Sequence, residues 1–399
     1  GSFEMVMRKS FPFPLMPLLL LVGIFYLTFV ARVVLAPLLP VIEKDLGLGH
    51  GEAGTLFLFV AFGYGAGLLG SGFISSLLNH RRTITLSSIL VGGAIVAISR
   101  SFSINQMHAG LVLVGLSAGF YLPSGIATLT ELVSKEHWGK AMAIHELAPN
   151  LGFITAPLLS EALLNFFSWR GALAVLGVWS VLMGILFWLF GQGGREKGEP
   201  PRLQSIYTIM ISPSFWMMAV MFTVSIGSSI GVYTMMPLFL VNEMGMDRGW
   251  ANTLIGLSRM FGIVVLFLSG SIIDRFGPKR TVTLFLITTG VFTFLLGILL
   301  GSITTPILLF LQAASAACLF PVGFTILALI FPSHLRSAAV SLVIFVGFLL
   351  GGGVVPSSIG HWAEAYSFSS ALTILGLLFI VLLPLFLRVG ARLEMSDKK

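Results

Sequence analysis

The sequence predicts an all-α membrane protein with twelve transmembrane helices arranged as two parallel six-helix repeats. Of its 399 residues, 56% are apolar and only 10% are charged, whereas water-soluble domains are about 25% charged. The apolar residues form runs of about twenty or more, long enough to cross a hydrocarbon core of about 30 Å as helices. Segments such as 18–31 and 374–387 are apolar on nearly every face, unlike the alternating strands of a membrane barrel. We therefore expect lipid to be the main solvent of the chain.

Short polar breaks separate the expected helices. The predicted ranges are 14–42, 52–77, 83–100, 106–133, 140–164, 169–192, 213–241, 249–273, 280–301, 305–331, 338–361 and 367–388. The longest polar stretch, Gly191–Ser205, contains glycine, proline and charged residues that are typical of a linker. It divides the chain into an N-terminal six-helix bundle (1–192), a cytoplasmic linker (193–206) and a C-terminal six-helix bundle (207–399).

The positive charges predict the orientation, because lysine and arginine concentrate on the cytoplasmic side of short loops. Of the 23 lysines and arginines, 17 lie in the termini and in the loops on the same side of the helices, and 4 lie in the opposite loops. The remaining two lie within predicted helices. We therefore expect both termini to be cytoplasmic and the protein to cross a bacterial inner membrane many times.

An internal repeat relates the two halves at an offset of 198 or 199 residues. Gly72–Leu86 aligns with Gly270–Leu284, and the segments share glycine, arginine, threonine and leucine at matching places. The other matches are Pro123 with Pro321, Gly125 with Gly323, Gly152 with Gly351, Pro157 with Pro356, Ser168 with Ser367, Ala172 with Ala371 and Leu173 with Leu372. Because six helices return the chain to the same side, the repeats are parallel, which predicts a solute site between the halves near the midplane.

One segment of the second half carries a family resemblance. Gly270–Arg280, with the sequence GSIIDRFGPKR, resembles the GxLaDrxGrr loop motif of the major facilitator superfamily, and the twelve spans and the duplication extend the resemblance over essentially the whole chain. It implies the major facilitator fold and solute transport. Asp274 and Arg275 would form a gating latch, since Asp274 can meet basic loop residues or a helix N-terminus. In the first half, Ser76 stands at the aspartate position, so that latch is missing or replaced there.

Arg32 and Arg259 are the two basic residues inside predicted helices, in helices 1 and 8. A charge near the middle of a span costs roughly 2.5–3.5 kcal/mol on insertion scales, which makes both arginines candidates for solute binding. A guanidinium binds carboxylate or phosphate through two parallel hydrogen bonds. Asn252 lies seven residues before Arg259, on nearly the same helical face, and is a further binding candidate. The alternative is a structural arginine paired with a helix C-terminus or a carboxylate.

Two local resemblances favour an anionic solute. The pattern from Arg32 through Ala36 and Pro37 resembles the organic-anion and organophosphate transporters of the superfamily, and an arginine in helix 8 resembles its monocarboxylate, oxalate and nitrate carriers. The arginine typical of helix 4 in drug-proton antiporters is replaced by Leu111. This replacement weakens, without excluding, a drug-efflux interpretation.

Helix 5 contains the pair His145 and Glu146, followed by Asn150. Glu146 and Asn150 are four residues apart and share a helical face. Both His145 and Glu146 are candidates for proton coupling because histidine and a shielded carboxyl can each take up a proton, and Asn150 is a candidate for solute contact. Alternatively, Glu146 neutralises a buried arginine and His145 packs against helix 4 or faces lipid headgroups.

Three tyrosines complete the candidate site. Tyr26, Tyr121 and Tyr233 fall in helices 1, 4 and 7, which the resemblance implies line the cavity. Each tyrosine could donate a hydroxyl group to an anion or close a gate. Aromatic side chains are equally common as packing residues and interface anchors, so packing is the alternative for each.

The same sequence argues against other classes. A single cysteine, Cys318, permits no intrachain disulfide, and neither a phosphate-binding loop nor a nucleophile-base pair is found. The net charge of +7 is spread over separate loops, which argues against nucleic-acid binding. We expect a monomeric secondary transporter, without cofactor or metal, that contacts lipid and moves a small organic anion, a carboxylate, by alternating access with protons as the coupling ion. Proton-driven efflux of amphiphilic drugs or lipids is the alternative, and a membrane enzyme or receptor is more distant.

Overall fold

A computed structural model describes residues 14–200 and 202–384. Within those ranges the chain forms helices and turns, with no strand. In this described part of the chain, eleven helices are long and apolar enough to cross a membrane, and a twelfth, Phe368–Val381, is apolar but shorter. The twelve helices, α1 to α12, are Leu15–Leu46, His50–Leu78, His80–Ser99, Ile104–Leu132, Lys135–Leu164, Trp169–Phe190, Pro213–Glu243, residues 248–276, residues 278–298, Thr304–Ile330, Ala338–Ala365 and Phe368–Val381. The predicted helical membrane fold is confirmed.

The turns between α2 and α3 and between α8 and α9 show the repeat in atomic detail. The run Arg248–Ile298 changes direction at Gly277, whose φ is 78° and ψ is 159°. At the matching position, 198 residues earlier, Asn79 has φ 85° and ψ 165°. The same hydrogen bond closes each turn. The Thr83 hydroxyl donates to the Asn79 carbonyl at 2.7 Å, and the Thr281 hydroxyl donates to the Gly277 carbonyl at 2.7 Å. The repeat therefore preserves backbone conformation as well as sequence.

Close helix contacts are also repeated. A β-carbon on Gly177 of α6 would lie 2.7 Å from the carbonyl oxygen of Gly92 on α3. A β-carbon on Gly376 of α12 would likewise lie 2.7 Å from the carbonyl oxygen of Gly290 on α9. Small residues at such crossings let two backbones approach, which is a common way for helices to associate in lipid.

Two compact units divide the described chain in a way that cuts across α1, α2 and α5. Of the described residues, the first unit holds 14–33, Gly63–Phe153 and 166–200. The second unit holds Val34–Phe62, Ile154–Asn165 and 202–384. Parts of three first-repeat helices thus pack with the second repeat. The division into bundles 1–192 and 207–399 stays a prediction from the sequence repeat.

The beginning of the predicted linker is bound to the turn between α2 and α3, within the first unit. The backbone N–H of Arg81 donates to the Gly194 carbonyl at 2.7 Å, and the N–H of Gly198 donates to the Ser75 carbonyl at 3.2 Å. The N–H of Gly194 donates to a carboxylate oxygen of Glu131 at 2.6 Å. This turn, which has Ser76 in place of an aspartate, is thereby held by the linker.

Candidate functional site

Arg32 lies at a break in α1. The helix consists of Leu15–Val33 and Leu35–Leu46, and the interruption is explained by Pro37, whose ring lacks an N–H and crowds the carbonyl four residues earlier. The Arg32 side chain is buried, and its guanidinium carbon lies 3.8 Å from the ring centroid of Tyr64 on α2 and 5.0 Å from that of Phe29. Both distances are within the range of a cation–π contact.

Arg259 is held by the middle of α7. Its Nη1 donates to the Ser229 hydroxyl at 3.1 Å and its Nη2 to the Ser229 carbonyl at 2.7 Å, while the guanidinium lies 4.8 Å from the Tyr233 ring centroid. The segment Gly227–Gly231 is π-helical, a wider turn that is frequent at functional sites. The neighbouring carbonyl of Ser228 also accepts a side-chain bond, from Gln312 Nε2 at 2.8 Å. Side chains of α8 and α10 thus bond to consecutive carbonyls of the widened turn.

The sequence predicted both arginines and Tyr233, but it missed Tyr64 and the contact with Ser229. Two signals were available. Tyr64 is flanked by Gly63 and Gly65, so it is a lone large side chain in a stretch of small ones. The serine and glycine residues around Ser229 are poor formers of a regular helix, which is consistent with an irregular turn.

A second cluster surrounds His145 in the first unit. Its ring is fully buried and stacks on Phe25 of α1 at 4.5 Å between centroids, with 15° between the planes. The Tyr121 hydroxyl of α4 donates to the Leu21 carbonyl at 2.7 Å and lies 2.9 Å from His145 Nε2. Tyr121 is also fully buried. Two predicted site residues, Tyr121 and His145, are therefore in direct contact.

Glu146 continues this cluster toward the surface of α5. Its Oε1 lies 3.3 Å from His145 Nδ1, and its side chain is 52% exposed. Asn150 Nδ2 donates to the backbone carbonyl of Glu146 at 2.9 Å, and its contact with a solute stays a prediction. The structure thus joins a buried histidine to an exposed carboxylate.

Asn252 lies in a different cluster, inside the second unit. Its Nδ2 donates to Glu161 Oε1 at 2.7 Å and to the Pro37 carbonyl at 3.3 Å. Arg248 donates to both oxygens of the same carboxylate, at 2.8 and 3.3 Å. Asn252 therefore contacts a carboxylate in this structure, and its contact with a solute stays a prediction.

A related cluster involves Glu43, whose carboxylate binds two partners in the second unit. Oε1 lies 2.8 Å from His50 Nδ1, and Oε2 accepts from Asn242 Nδ2 at 3.1 Å. The N–H of Gly51 donates to Glu364 at 2.9 Å. The sequence analysis did not single out these groups, because two of the three contacts, those of Asn242 with Glu43 and of Gly51 with Glu364, join helix ends of one repeat to the other.

Three candidates remain, and one of them, Tyr26, packs against the apolar core that contains Phe25 and Tyr121. Tyr26 is half-buried on α1. Asp274 and Arg275 are exposed just before the turn at Gly277, with the Arg275 guanidinium 5.5 Å from the Phe276 ring centroid. Their predicted gating role is untested by this geometry.

Known proteins resemble this chain in sequence and in fold. The sequence model of the Major Facilitator Superfamily matches residues 20–307 and 249–398. The multidrug resistance protein MdtL of Klebsiella pneumoniae (strain 342) is 22% identical over 348 residues, covering 84% of this chain and 85% of that protein. The 4-hydroxybenzoate transporter PcaK of Pseudomonas putida is 22% identical over 367 residues, covering 82% and 80%.

A solved structure agrees in fold. The crystal structure of a bacterial homologue of the human lysosomal transporter Spinster, in an inward-facing and occupied conformation, has a TM-score of 0.82 at 14% identity and covers 96% of this chain and 97% of that one. At that identity the likeness concerns the fold alone. The family match over most of the chain goes further: this multi-pass membrane protein belongs to the Major Facilitator Superfamily, and is a transporter rather than an enzyme.

Proposed function

We propose that this transporter moves a small organic anion whose charged group is a carboxylate. The observation that carries the proposal is the burial of Arg32 and Arg259 within membrane-spanning helices, each against a tyrosine ring. Stacking occupies a face of the guanidinium, whereas its five N–H donors lie in the plane and point outward from the edge. Such an edge matches the two oxygens of a carboxylate, which at Arg259 would compete with the two bonds to Ser229. Each arginine would therefore contribute positive charge to solute recognition.

Some relatives support this class of solute. PcaK is named for 4-hydroxybenzoate, an aromatic carboxylate. A protein of Cupriavidus pinatubonensis, 23% identical over 338 residues, is named a probable 4-methylmuconolactone transporter. We propose small carboxylates, aromatic ones included, as the first solutes to test.

Protons are the coupling ion that we propose. His145 and Glu146 supply two groups that can hold a proton, one buried and one exposed. The sequence contains no ATP-binding loop, so a solute or ion gradient would supply the energy. The two repeats would exchange access to the two sides of the membrane, as is common among transporters built from repeats.

Transport by purified protein in liposomes tests the proposal. Uptake or binding would be measured for 4-hydroxybenzoate and for a panel of aliphatic carboxylates, organophosphates, sugars and organic cations. We expect Arg259→Ala to weaken carboxylate binding at least tenfold and Arg259→Lys to weaken it less. Arg100→Ala, which removes an exposed arginine at the end of α3, is the matched control and should change nothing. Unchanged affinity of Arg259→Ala for every transported solute would refute the proposal.

Proton-driven export of amphiphilic compounds is the second candidate. It is favoured by the match to MdtL, a protein named for multidrug resistance, over 84% of this chain. Cells that express the protein would then resist several unrelated lipophilic compounds, and Arg259→Ala would leave that resistance intact. Resistance that depends on Arg259 would instead connect the exported compounds to the anion proposal.

A further inference from the structure

We infer that Tyr121 is a positioning residue that sets the proton arrangement of His145, so that His145 and Glu146 act as one pair sharing a single proton. This inference rests on the proton coupling proposed above and deepens it. The atoms involved all lie in the first unit, on α1, α4 and α5.

The first step concerns the Tyr121 hydroxyl, which has one proton to donate. It donates that proton to the Leu21 carbonyl oxygen at 2.7 Å, and a carbonyl oxygen can only accept. The contact of 2.9 Å between the hydroxyl oxygen and His145 Nε2 must therefore run the other way. Nε2 carries a hydrogen and donates it to Tyr121.

The second step concerns the other ring nitrogen. With a hydrogen on Nε2, a neutral imidazole has a bare lone pair on Nδ1, and Nδ1 lies 3.3 Å from Glu146 Oε1. A bare lone pair and a carboxylate oxygen repel, so a hydrogen bond there needs one additional proton. That proton lies either on Nδ1, giving an imidazolium beside a carboxylate, or on Glu146, giving two neutral groups. Uptake of one proton changes the net charge of the pair from −1 to 0 in both cases.

The third step concerns access. His145 is fully buried, whereas the Glu146 side chain is 52% exposed, so protons would enter and leave through Glu146. The rings of Phe25, Tyr121 and His145 are nearly parallel, with 12° to 19° between planes, and this stack holds the imidazole in place. Of the groups that contact the imidazole, Tyr121 from α4 and Glu146 from α5 are titratable, and α1 contributes the apolar Phe25.

Removing the Tyr121 hydroxyl is expected to free the His145 ring hydrogen to move from Nε2 to Nδ1. In Tyr121→Phe, Nε2 loses its acceptor, so a neutral His145 can move its hydrogen to Nδ1 and donate it to the Glu146 carboxylate. The pair then forms its hydrogen bond without binding an additional proton. The hydrogen bond between His145 and Glu146 would then form whether or not the pair takes up an additional proton.

Nitrogen-15 NMR of histidine-labelled protein in liposomes tests the inference without any solute. The His145 signals would be identified by their loss in His145→Gln. We expect the neutral wild-type ring to carry its hydrogen on Nε2, and the neutral ring of Tyr121→Phe to carry it on Nδ1. Glu146→Gln should keep Nε2 protonated with Nδ1 bare, because the glutamine amide can donate to it. Tyr233→Phe, which removes a buried hydroxyl in the second unit, should leave the His145 signals unchanged and serves as the control.

A wild-type His145 that carries its neutral hydrogen on Nδ1, or spectra that are the same in wild type and Tyr121→Phe, would overturn the inference. A companion measurement uses 4-hydroxybenzoate as the probe in proteoliposomes. Tyr121→Phe should lower uptake driven by a pH gradient at least fivefold relative to exchange of labelled for unlabelled probe. If no carboxylate is transported, the proposed function fails, yet the NMR result still decides the role of Tyr121.

Discussion

The two repeats each bury one arginine against a tyrosine, but they place the pair on opposite helices. The first repeat has Arg32 on its first helix and Tyr64 on its second, whereas the second repeat has Tyr233 on its first helix and Arg259 on its second. At the repeat offset of 198, Arg32 falls on Ile230, and Arg259 falls on Ala61. The two arginines thus do not belong to the repeated sequence pattern, although each lies against a tyrosine ring.

Helix crossings and turns show the opposite tendency, because their backbone geometry is similar in both repeats. At each crossing the β-carbon position of a glycine, Gly177 on α6 or Gly376 on α12, lies 2.7 Å from the carbonyl oxygen of a glycine on the facing helix. The side chains around them differ: Ser88 and Ser180 exchange hydrogen bonds with each other's carbonyls at 2.7 and 2.9 Å, and the matching residues Leu286 and Phe379 are apolar. The repeats therefore share a backbone design and differ in chemistry.

The largest expected effect concerns the two arginines. We expect Arg259→Ala to weaken carboxylate binding by about 10- to 150-fold, which is the equivalent of a charge-assisted hydrogen bond worth about 1.5–3 kcal/mol. Arg32→Ala should also weaken it, because this guanidinium is buried in the other repeat against the Tyr64 and Phe29 rings. Equilibrium binding of labelled 4-hydroxybenzoate or of the best solute from the panel measures both. Unchanged binding in one variant would show that only the arginine of the other repeat supplies charge to the solute.

The close helix approach in both repeats predicts losses of stability in both. A β-carbon at Gly177 would lie 2.7 Å from the Gly92 carbonyl oxygen, and one at Gly376 would lie 2.7 Å from the Gly290 carbonyl oxygen and still closer to the Phe294 backbone nitrogen. Overpacking of this kind costs about 1–3 kcal/mol. Gly177→Ala and Gly376→Ala should both lower the thermal unfolding temperature in detergent, and Gly376→Ala should lower it more. Gly139→Ala, at a position with nothing near the added carbon, is the control. A loss in one repeat alone would contradict the equivalence of the crossings.

The turns predict effects of opposite sign. Asn79 and Gly277 share a backbone conformation that is nearly restricted to glycine and costs other residues about 1–3 kcal/mol. Gly277→Ala should therefore destabilise the protein. Asn79→Gly should stabilise it by a smaller amount, because relief of strain is partly offset by the loss of the side-chain bond to the Arg82 N–H at 2.9 Å. Thermal unfolding of the two variants checks this, and a stabilised Gly277→Ala would show that the turn is not strained.

Much of the fold was predictable because its signals are local. Apolar runs indicate spans, the offset of 198 indicates the repeat, and Arg32 and Arg259 are conspicuous within apolar helices. The clusters depend instead on helix rotation and on contacts between distant residues. Glu161 and Arg248 are 87 residues apart in the chain, and no local pattern relates them.

The same limit explains the misses around the candidate site. Spacing along α8 relates Asn252 to Arg259, but the partner of Asn252 in the structure is a carboxylate on α5. Likewise, His145 and Glu146 are adjacent in sequence, whereas their contact with Tyr121 depends on how α4 and α5 pack. Helical periodicity predicts which residues share a face, and only packing determines what that face meets.

The smallest expected effect concerns the aromatic partners of the two arginines. A cation–π contact is worth about 0.5–2 kcal/mol, so Tyr64→Leu and Tyr233→Leu should each weaken carboxylate binding by a few-fold to about thirtyfold. Tyr233→Phe keeps the ring and should bind nearly as wild type, whereas Tyr64→Phe should lose only the smaller contribution of its hydroxyl to Arg32. The leucine variants should differ between repeats: the loss should be larger for Tyr64, whose ring is only 3.8 Å from its guanidinium, than for Tyr233, at 4.8 Å. A phenylalanine variant as weak as its leucine counterpart would show that the hydroxyl, and not the ring, supports the arginine.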